Sequence, residues 1–402
     1  MLIADSHEFI ELYRGDKDLR LGQEMVRLDP NLRFVSFAPR AISPAERELI
    51  DAPHLDRSML PPLPERMEVH LLRSIAFKFA YKEVGGIVSF MPGYARALRR
   101  SAPDAILENP YTWLTPRSYA TAAVAKRLGV PVIYHDPGDD VPVSRKQRML
   151  VPFETPVVNR AAAIITYNAI GQCRFVEKYG YAADKIHIVP KPVDVARWHR
   201  PDLREETRAA LGIAPGTFVV AHSGRLTQMR GSAMLAEAAR SAIRDPRFTD
   251  VLFLFIGGFL HSDANQDDYE GANTMITGMV DNDQVPALLS AADAVVFPDL
   301  ATHAGFTTAI AEAMAAAKPI IVGMDPAHGA VPIRHQETGV VITPRSVTSL
   351  LEAVALLKAE PDYARRLGRA VGKYASVNMD YPSVARQYLD IVKGAIFNAA
   401  SL

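Results

Sequence analysis

The stretch GRLTQMRG, residues 224–231, sets two guanidinium groups, Arg225 and Arg230, on one connection between the apolar run TFVVAHSG (217–224) and the helical pattern SAMLAEAAR (232–240). Fork-shaped cationic donors beside a helix start suit a phosphate or diphosphate, because the side chains and the unpaired N–H groups point at the same anion. Two solvated loop arginines fit the spacing equally well. A second connection of this kind follows DAVVFP (293–298), where the loop DLATHAG leads into a helix expected to begin near Thr307 and to be capped by its hydroxyl. In that helix Ile310 and Met314 share a face, while Glu312, its only carboxylate, lies opposite with Thr308 one turn before it. A carboxylate only accepts hydrogen bonds and can take two neighbouring hydroxyls, as on a ribose. The alternative is a solvent-facing helix glutamate. Asp281-Asn282-Asp283 spells a metal-holding D-x-D pattern, but Asp283 precedes a helix with Pro286 in its first turn and is expected to act as its N-cap. His135, in VIYHDPGDD at a strand end, reads either as a functional imidazole or as a loop histidine satisfied by Asp136 or Asp139.

These residues all fall where strands give way to helices. The runs RFVSFA (33–38), DAILEN (104–109), PVIYHD (131–136), AAAIITYN (161–168) and KIHIVP (185–190) read as strands, with helical patterns such as SYATAAVAKRLG (118–129) between several of them. TFVVAHSG, VLFLFIGG (251–258), NTMITG (273–278), DAVVFP, KPIIVG (318–323) and TGVVIT (338–343) repeat the alternation. Many are continuously apolar, as strands buried on both faces of a parallel sheet must be. The class is therefore α/β and doubly wound, and ligands of such sheets bind beyond the carboxyl ends of the strands. The chain's 402 residues exceed the roughly 250–300 at which one core stops growing, so two domains are expected. IVPKPVDVARWHRPDLREE marks the boundary, giving an N-terminal domain over 1–195, a second over 196–379 and a last helix over 380–402 that returns to the first. Residues 39–65, rich in proline, read as an irregular excursion.

Composition narrows the function classes. Apolar residues make up 49% of the chain and charged ones 22%, so a packed protein is expected. Forty-five basic side chains balance forty-five acidic ones, which gives no reason to expect nucleic acid as a partner. The single Cys173 excludes an intrachain disulfide framework and reads as a small apolar helix residue in a reducing compartment. The start MLIADSHEFIELYRGDK has no signal-like apolar core, and VLFLFIGGFL is far short of the ~18 residues of a membrane span. A cytoplasmic protein is expected. A nicotinamide dehydrogenase on a similar sheet would need a G-x-G-x-x-G between strand and helix, and none is found.

Several of these segments, in order, carry a family resemblance. AAAIITYNAIGQCRFVEKYGYAADKIHIVPKPVDVARW, GRLTQMRG, DNDQVPALLSAADAVVFP, AGFTTAIAEAMAAAKPIIV and ETGVVITPRSVTSLLEAV resemble successive motifs of the GT-B retaining glycosyltransferases of family four. The resemblance covers residues from about 161 to 395 and is weak before them. It implies two Rossmann-like domains facing a cleft, and transfer of a sugar from a UDP- or GDP-linked donor to a glycan, lipid-linked or small-molecule hydroxyl acceptor, with retention of configuration. Arg225 and Arg230 would hold the diphosphate and stabilise its departure, Arg230 standing where the family usually has lysine. Thr307 and Thr308 would donate backbone N–H groups to the same phosphates, Val280 would contact the nucleotide, Glu312 would bind the ribose, and His135 would lie near donor sugar and acceptor. Such fixed positive groups replace a metal, so none is expected.

The chain departs from the family pattern in three further places. Ala304 stands eight positions before Glu312, where the family has a second glutamate, with His303 or Asp299 as polar substitutes nearby. Gly305-Phe306-Thr307 replaces Gly-Phe-Gly, and Arg14-Gly15 replaces a paired-glycine loop. A nucleotide- or glycan-binding protein without turnover, or an inactive partner subunit, is the rival reading. The basic, aromatic stretch 66–100 is expected to form an amphipathic helix packing Leu72, Ile75 and Phe79 on the sheet, and in relatives the equivalent region faces the acceptor and sometimes a membrane.

Overall fold

The computed structural model describes residues 1–7, 17–40, 62–78, 87–109, 114–136, 138, 145–227, 231–259, 265–298, 306–325 and 331–401. The chain divides into two compact units: Met1–Pro190 together with Tyr381–Leu402, and Lys191–Asp380.

The first unit is built on a seven-stranded parallel sheet in the order β3-β2-β1-β6-β7-β8-β9. The strands are β1 (Leu2–Ser6), β2 (Arg33–Arg40), β3 (Met67–Arg73), β6 (Ala105–Glu108), β7 (Val132–Asp136), β8 (Ala163–Thr166) and β9 (Ile186–Ile188). Every residue of β6, β7 and β8 is buried, the physical reason their sequences read as unbroken apolar runs. One face is covered by the helices Lys17–Leu28 and Tyr381–Ala400, whose Met25, Val384, Tyr388 and Val392 join Ile3, Phe34 and Ile133 in one core. The other face carries Leu98, Val124, Val158 and Phe175 from the helices Tyr94–Ser101, Pro116–Leu128, Arg145–Val158 and Ala169–Tyr179.

The expectation of a helix over 66–100 is corrected. Met67 and Val69 are buried while Glu68 and His70 are exposed, which is the period of two of a strand. Beyond it, β4 (Ile75–Lys78) and β5 (Ile87–Phe90) form an antiparallel pair in which Ile75, opposite Phe90, is 45% exposed instead of packed on the sheet. Leu72 is half-buried, and Phe79 lies outside the described residues, as does most of 39–65. Cys173 is exposed on the helix Ala169–Tyr179.

The second unit has a six-stranded parallel sheet in the order β12-β11-β10-β13-β14-β15, made of β10 (Phe218–Ser223), β11 (Val251–Ile256), β12 (Thr274–Ile276), β13 (Ala294–Phe297), β14 (Ile320–Gly323) and β15 (Val340–Ile342). Helices Ser232–Ala242, Val347–Ala359 and Pro361–Tyr374 pack on one face around Leu235, Phe253, Leu350 and Leu367. In each sheet the strand order reverses direction once, between β1 and β6 and between β10 and β13, and the crevice beyond the carboxyl ends at such a switch point is where open α/β sheets bind ligands.

Candidate active site

Arg225 follows β10 directly, on one lip of the second unit's switch point. Its side chain is exposed and hydrogen-bonds to no described residue. The loop that carries it is fixed at both ends. Gly224 N–H donates to Ile256 O at 2.9 Å and Leu226 N–H to Gly258 O at 3.0 Å, while Leu226 itself is 1% exposed. Past the segment 228–230, Gly231 takes φ 70° as N-cap of the helix Ser232–Ala242, a left-handed conformation that favours glycine. The Ser232 hydroxyl donates to Thr227 O at 2.9 Å and pairs with the Tyr269 hydroxyl at 2.8 Å, tying the mouth of the loop together. Arg230 lies outside the described residues.

The neighbouring loops are joined to this one. Gly257 has φ 142°, and a Cβ there would stand 2.0 Å from Gly224 O, so glycine is what lets the backbones after β10 and β11 touch. Gly257 N–H donates to Thr277 Oγ1 at 3.2 Å and bridges Gly278, which carries the chain to a half-buried Val280 after β12. Asp283 is not the N-cap: Gln284 occupies that position, and Asp283 accepts from Arg197 Nη2 at 2.8 Å, with Asn282 bound by the same guanidinium. The Arg197 guanidinium engages the carboxylate that would otherwise accept from the first N–H groups of the helix. Among the described residues no group of three histidine, cysteine or acidic side chains could hold a metal.

The other lip belongs to the helix Thr308–Ala315, which follows β13. Thr307 is its N-cap, as expected, but its hydroxyl makes no capping bond. Thr307 and Thr308 are half-buried, and the residue before them is pinned by Lys191, whose buried ammonium donates to Phe306 O at 3.0 Å. Ile310 and Met314 are fully buried, and Glu312 is only 9% exposed, so this glutamate does not face solvent. Ala304, His303 and Asp299 lie outside the described residues, as do Arg14 and Gly15.

His135 belongs to the first unit, at the end of β7, 7% exposed and edge-on to Tyr167 and Tyr388 with centroids 4.9 and 5.4 Å away. The adjoining Asp136 carboxylate accepts from Gly138 N–H at 2.9 Å and pairs with Arg174; Asp139 lies outside the described residues. Three features of this edge went unread in the sequence. Arg117, buried in the first turn of the helix Pro116–Leu128, donates to Ser6 Oγ at 3.0 Å and Asn109 O at 2.5 Å, bridging the ends of β1 and β6 across the switch point. Glu108 is fully buried with Arg117 Nη2 4.0 Å away. Burial and this carboxylate push the phenols of Tyr94 and Tyr134 up, so both stay protonated. His7 pairs with Asp5 beyond the same strand end. A cation at a helix start opposes the macrodipole, and Arg117 in that place was the available signal of specific acceptors.

The comparisons with known proteins agree with this architecture. Residues 20–197 match the family model "Glycosyltransferase Family 4", and residues 203–374 match "Glycosyl transferases group 1". A D-inositol 3-phosphate glycosyltransferase of Nocardia farcinica is 27% identical over 55% of this chain, a match that spans about half of that relative's length (51%). A GDP-mannose-dependent alpha-(1-6)-phosphatidylinositol monomannoside mannosyltransferase of Mycobacterium tuberculosis is 28% identical over 71% of this chain and 74% of its own. The crystal structure of Anabaena HepE in complex with UDP superposes with a TM-score of 0.71 at 18% identity, over 98% of this chain and 99% of that one, and has the same GT-B fold. With its two parallel-sheet units and both family matches, the chain belongs to the group 1 glycosyltransferases of family four.

Proposed function

We propose that the protein moves a sugar from a nucleoside diphosphate sugar to a hydroxyl acceptor, with retention of configuration and without a metal. The observation that carries this is Arg225: an exposed guanidinium, bonded to no described residue, on a loop clamped beside a helix start at the switch point, with the start of the helix Thr308–Ala315 on the facing lip. In the reaction the bond from the anomeric carbon to the diphosphate oxygen breaks, and its electron pair leaves with the diphosphate. The acceptor oxygen bonds to that carbon on the departing face and passes its proton to the leaving phosphate oxygen. Charge builds on the diphosphate, and Arg225, Arg230 and the N–H groups at Thr307 and Thr308 are the groups to stabilise it. In this reading Glu312 holds the ribose hydroxyls, Val280 packs on the nucleotide, and His135 serves the sugar or acceptor.

The Mycobacterium relative's donor is named as GDP-mannose and HepE was crystallised with UDP, so both bases belong in the test. The relatives' names also favour inositol-type or lipid-linked hydroxyl acceptors. Calorimetry with UDP and GDP is expected to show binding of at least one. Arg225→Ala should weaken it by about 1.5–3 kcal/mol, the range for a lost charged hydrogen bond. Slow release of nucleoside diphosphate from the cognate sugar donor, followed by mass spectrometry, should depend on Arg225. Tight binding with no release from any donor, acceptors present, would establish the rival reading of a binding protein without turnover.

A further inference from the structure

Lys191 is 9% exposed, and its ammonium donates to the carbonyl of Phe306 at 3.0 Å, 115 positions along the chain. Lysine is rarely buried to this extent, because taking its charge out of water is costly. The stem is fixed at its root: Pro192 restricts the backbone of the residue before it, and Val193 N–H donates to Met379 O at 2.8 Å. The far end is fixed as well, since Phe306 is 1% exposed. Between Phe306 and Thr307 the peptide is trans, so its C=O and N–H point in opposite directions. With the carbonyl turned to Lys191, the Thr307 N–H faces away from the ammonium, and it donates to no described residue. A cation beside a helix start also opposes the macrodipole, a placement that favours an anion at the same point.

We infer that Lys191 is a positioning residue of the donor site: it aims the Thr307 N–H at the departing diphosphate and strengthens it as a donor. The inference rests on the reading that the diphosphate lies at the start of the helix Thr308–Ala315. The physics is that of a hydrogen-bond chain. An ammonium on the carbonyl oxygen draws electron density through the conjugated peptide and leaves the N–H at its far end more positive. The charge thus acts on the anion through one peptide unit, while the side chain itself does not touch the ligand. Holding the carbonyl also stops that peptide from turning, so the N–H is already aligned when charge develops on the leaving group.

The test is calorimetry of the full chain with UDP and GDP and with the bare nucleosides uridine and guanosine. Lys191→Met, which keeps an unbranched side chain and loses the charge, should weaken the diphosphate that the parent binds by about tenfold. The corresponding nucleoside, which has no phosphate, should bind within about twofold of the parent. Lys191→Arg should restore most of the loss. Lys191→Gln, still able to donate to the carbonyl but uncharged, should fall between, and it carries the test if the methionine variant does not fold. Thr307 has φ −67°, proline's own value, so Thr307→Pro removes the N–H donor while keeping that angle. On that background Lys191→Met should change diphosphate affinity by less than about twofold, whereas on Thr307→Ala, which keeps the N–H, the roughly tenfold loss should remain. The inference is overturned if Lys191→Met binds the diphosphate as the parent does, if it loses the nucleoside to the same degree, or if its effect adds in full to that of Thr307→Pro. A parent that binds neither diphosphate overturns the reading of the site and this inference with it, so the two failures are told apart.

Discussion

Glu312 is a carboxylate with 9% exposure in a helix whose other residues from Ile310 to Ala315 are apolar and buried. Burying a carboxylate is costly, and a helix meant only to pack would carry alanine there. If Glu312 holds the ribose, its effect must be felt at the ribose hydroxyls and nowhere else on the ligand. The parent should bind the ribonucleoside diphosphate more tightly than its 2′,3′-dideoxy analogue, and Glu312→Gln should erase that preference, weakening the natural ligand by about 1–2 kcal/mol. Calorimetry with the two ligands checks it; a preference that survives in the variant would place the ribose elsewhere. At this scale the sequence disclosed residues whose chemistry is out of keeping with their neighbours, as Arg225, Glu312 and His135 are. It could not disclose Arg117 or Lys191, because the carbonyls of Ser6 and Phe306 to which they donate lie 111 and 115 positions away, and a carbonyl has no sequence signature.

Among the elements, the helix Tyr381–Ala400 is held to the first unit by apolar packing and by polar ties that include Lys393 Nζ to Asp29 Oδ2 at 2.8 Å. The Lys393 hydrogen bond, then the Asn31 N–H, hold the Asp29 carboxyl below its ordinary 3.8. A lowered carboxylate stabilises the fold above the unfolded value, and that contribution disappears as pH falls through the folded one. Lys393→Ala should therefore cost about 0.5–1 kcal/mol at neutral pH, less at high salt because Lys393 is half exposed, and progressively less as pH falls below 3.8 through the folded value. Urea unfolding of parent and variant at pH 7 and pH 3 measures the difference. The buried strands were readable because burial on both faces leaves an unbroken apolar run. MEVHL of β3 alternates as a strand should, but it lies in a basic, aromatic stretch whose composition also suits an amphipathic helix. β1, five residues followed by polar ones, carries little pattern to read.

For the whole molecule, a metal-free transfer has a direct consequence: turnover, once a donor is found, should persist in excess chelator. A loss of activity that magnesium or manganese restores would remove the arginine-based mechanism. The α/β class was legible because it repeats along the chain, whereas the acceptor and the base are written in loops and in shape. The path of the chain between the units has a temporal consequence. The chain leaves the first unit at Pro190 and returns at Tyr381, and the two ends of the second unit lie together, with Val193 N–H donating to Met379 O at 2.8 Å. The second unit can thus close on itself as soon as it is made. The first cannot: Val384, Tyr388 and Val392, which cover one face of its sheet, are synthesised only after the 190 residues of Lys191–Asp380, about 10–40 s later at ribosomal rates. For that interval the domain begun first leaves part of one apolar sheet face uncovered, so on the ribosome the domain begun second is finished first, and a chaperone has its longest claim on the half that was started earlier.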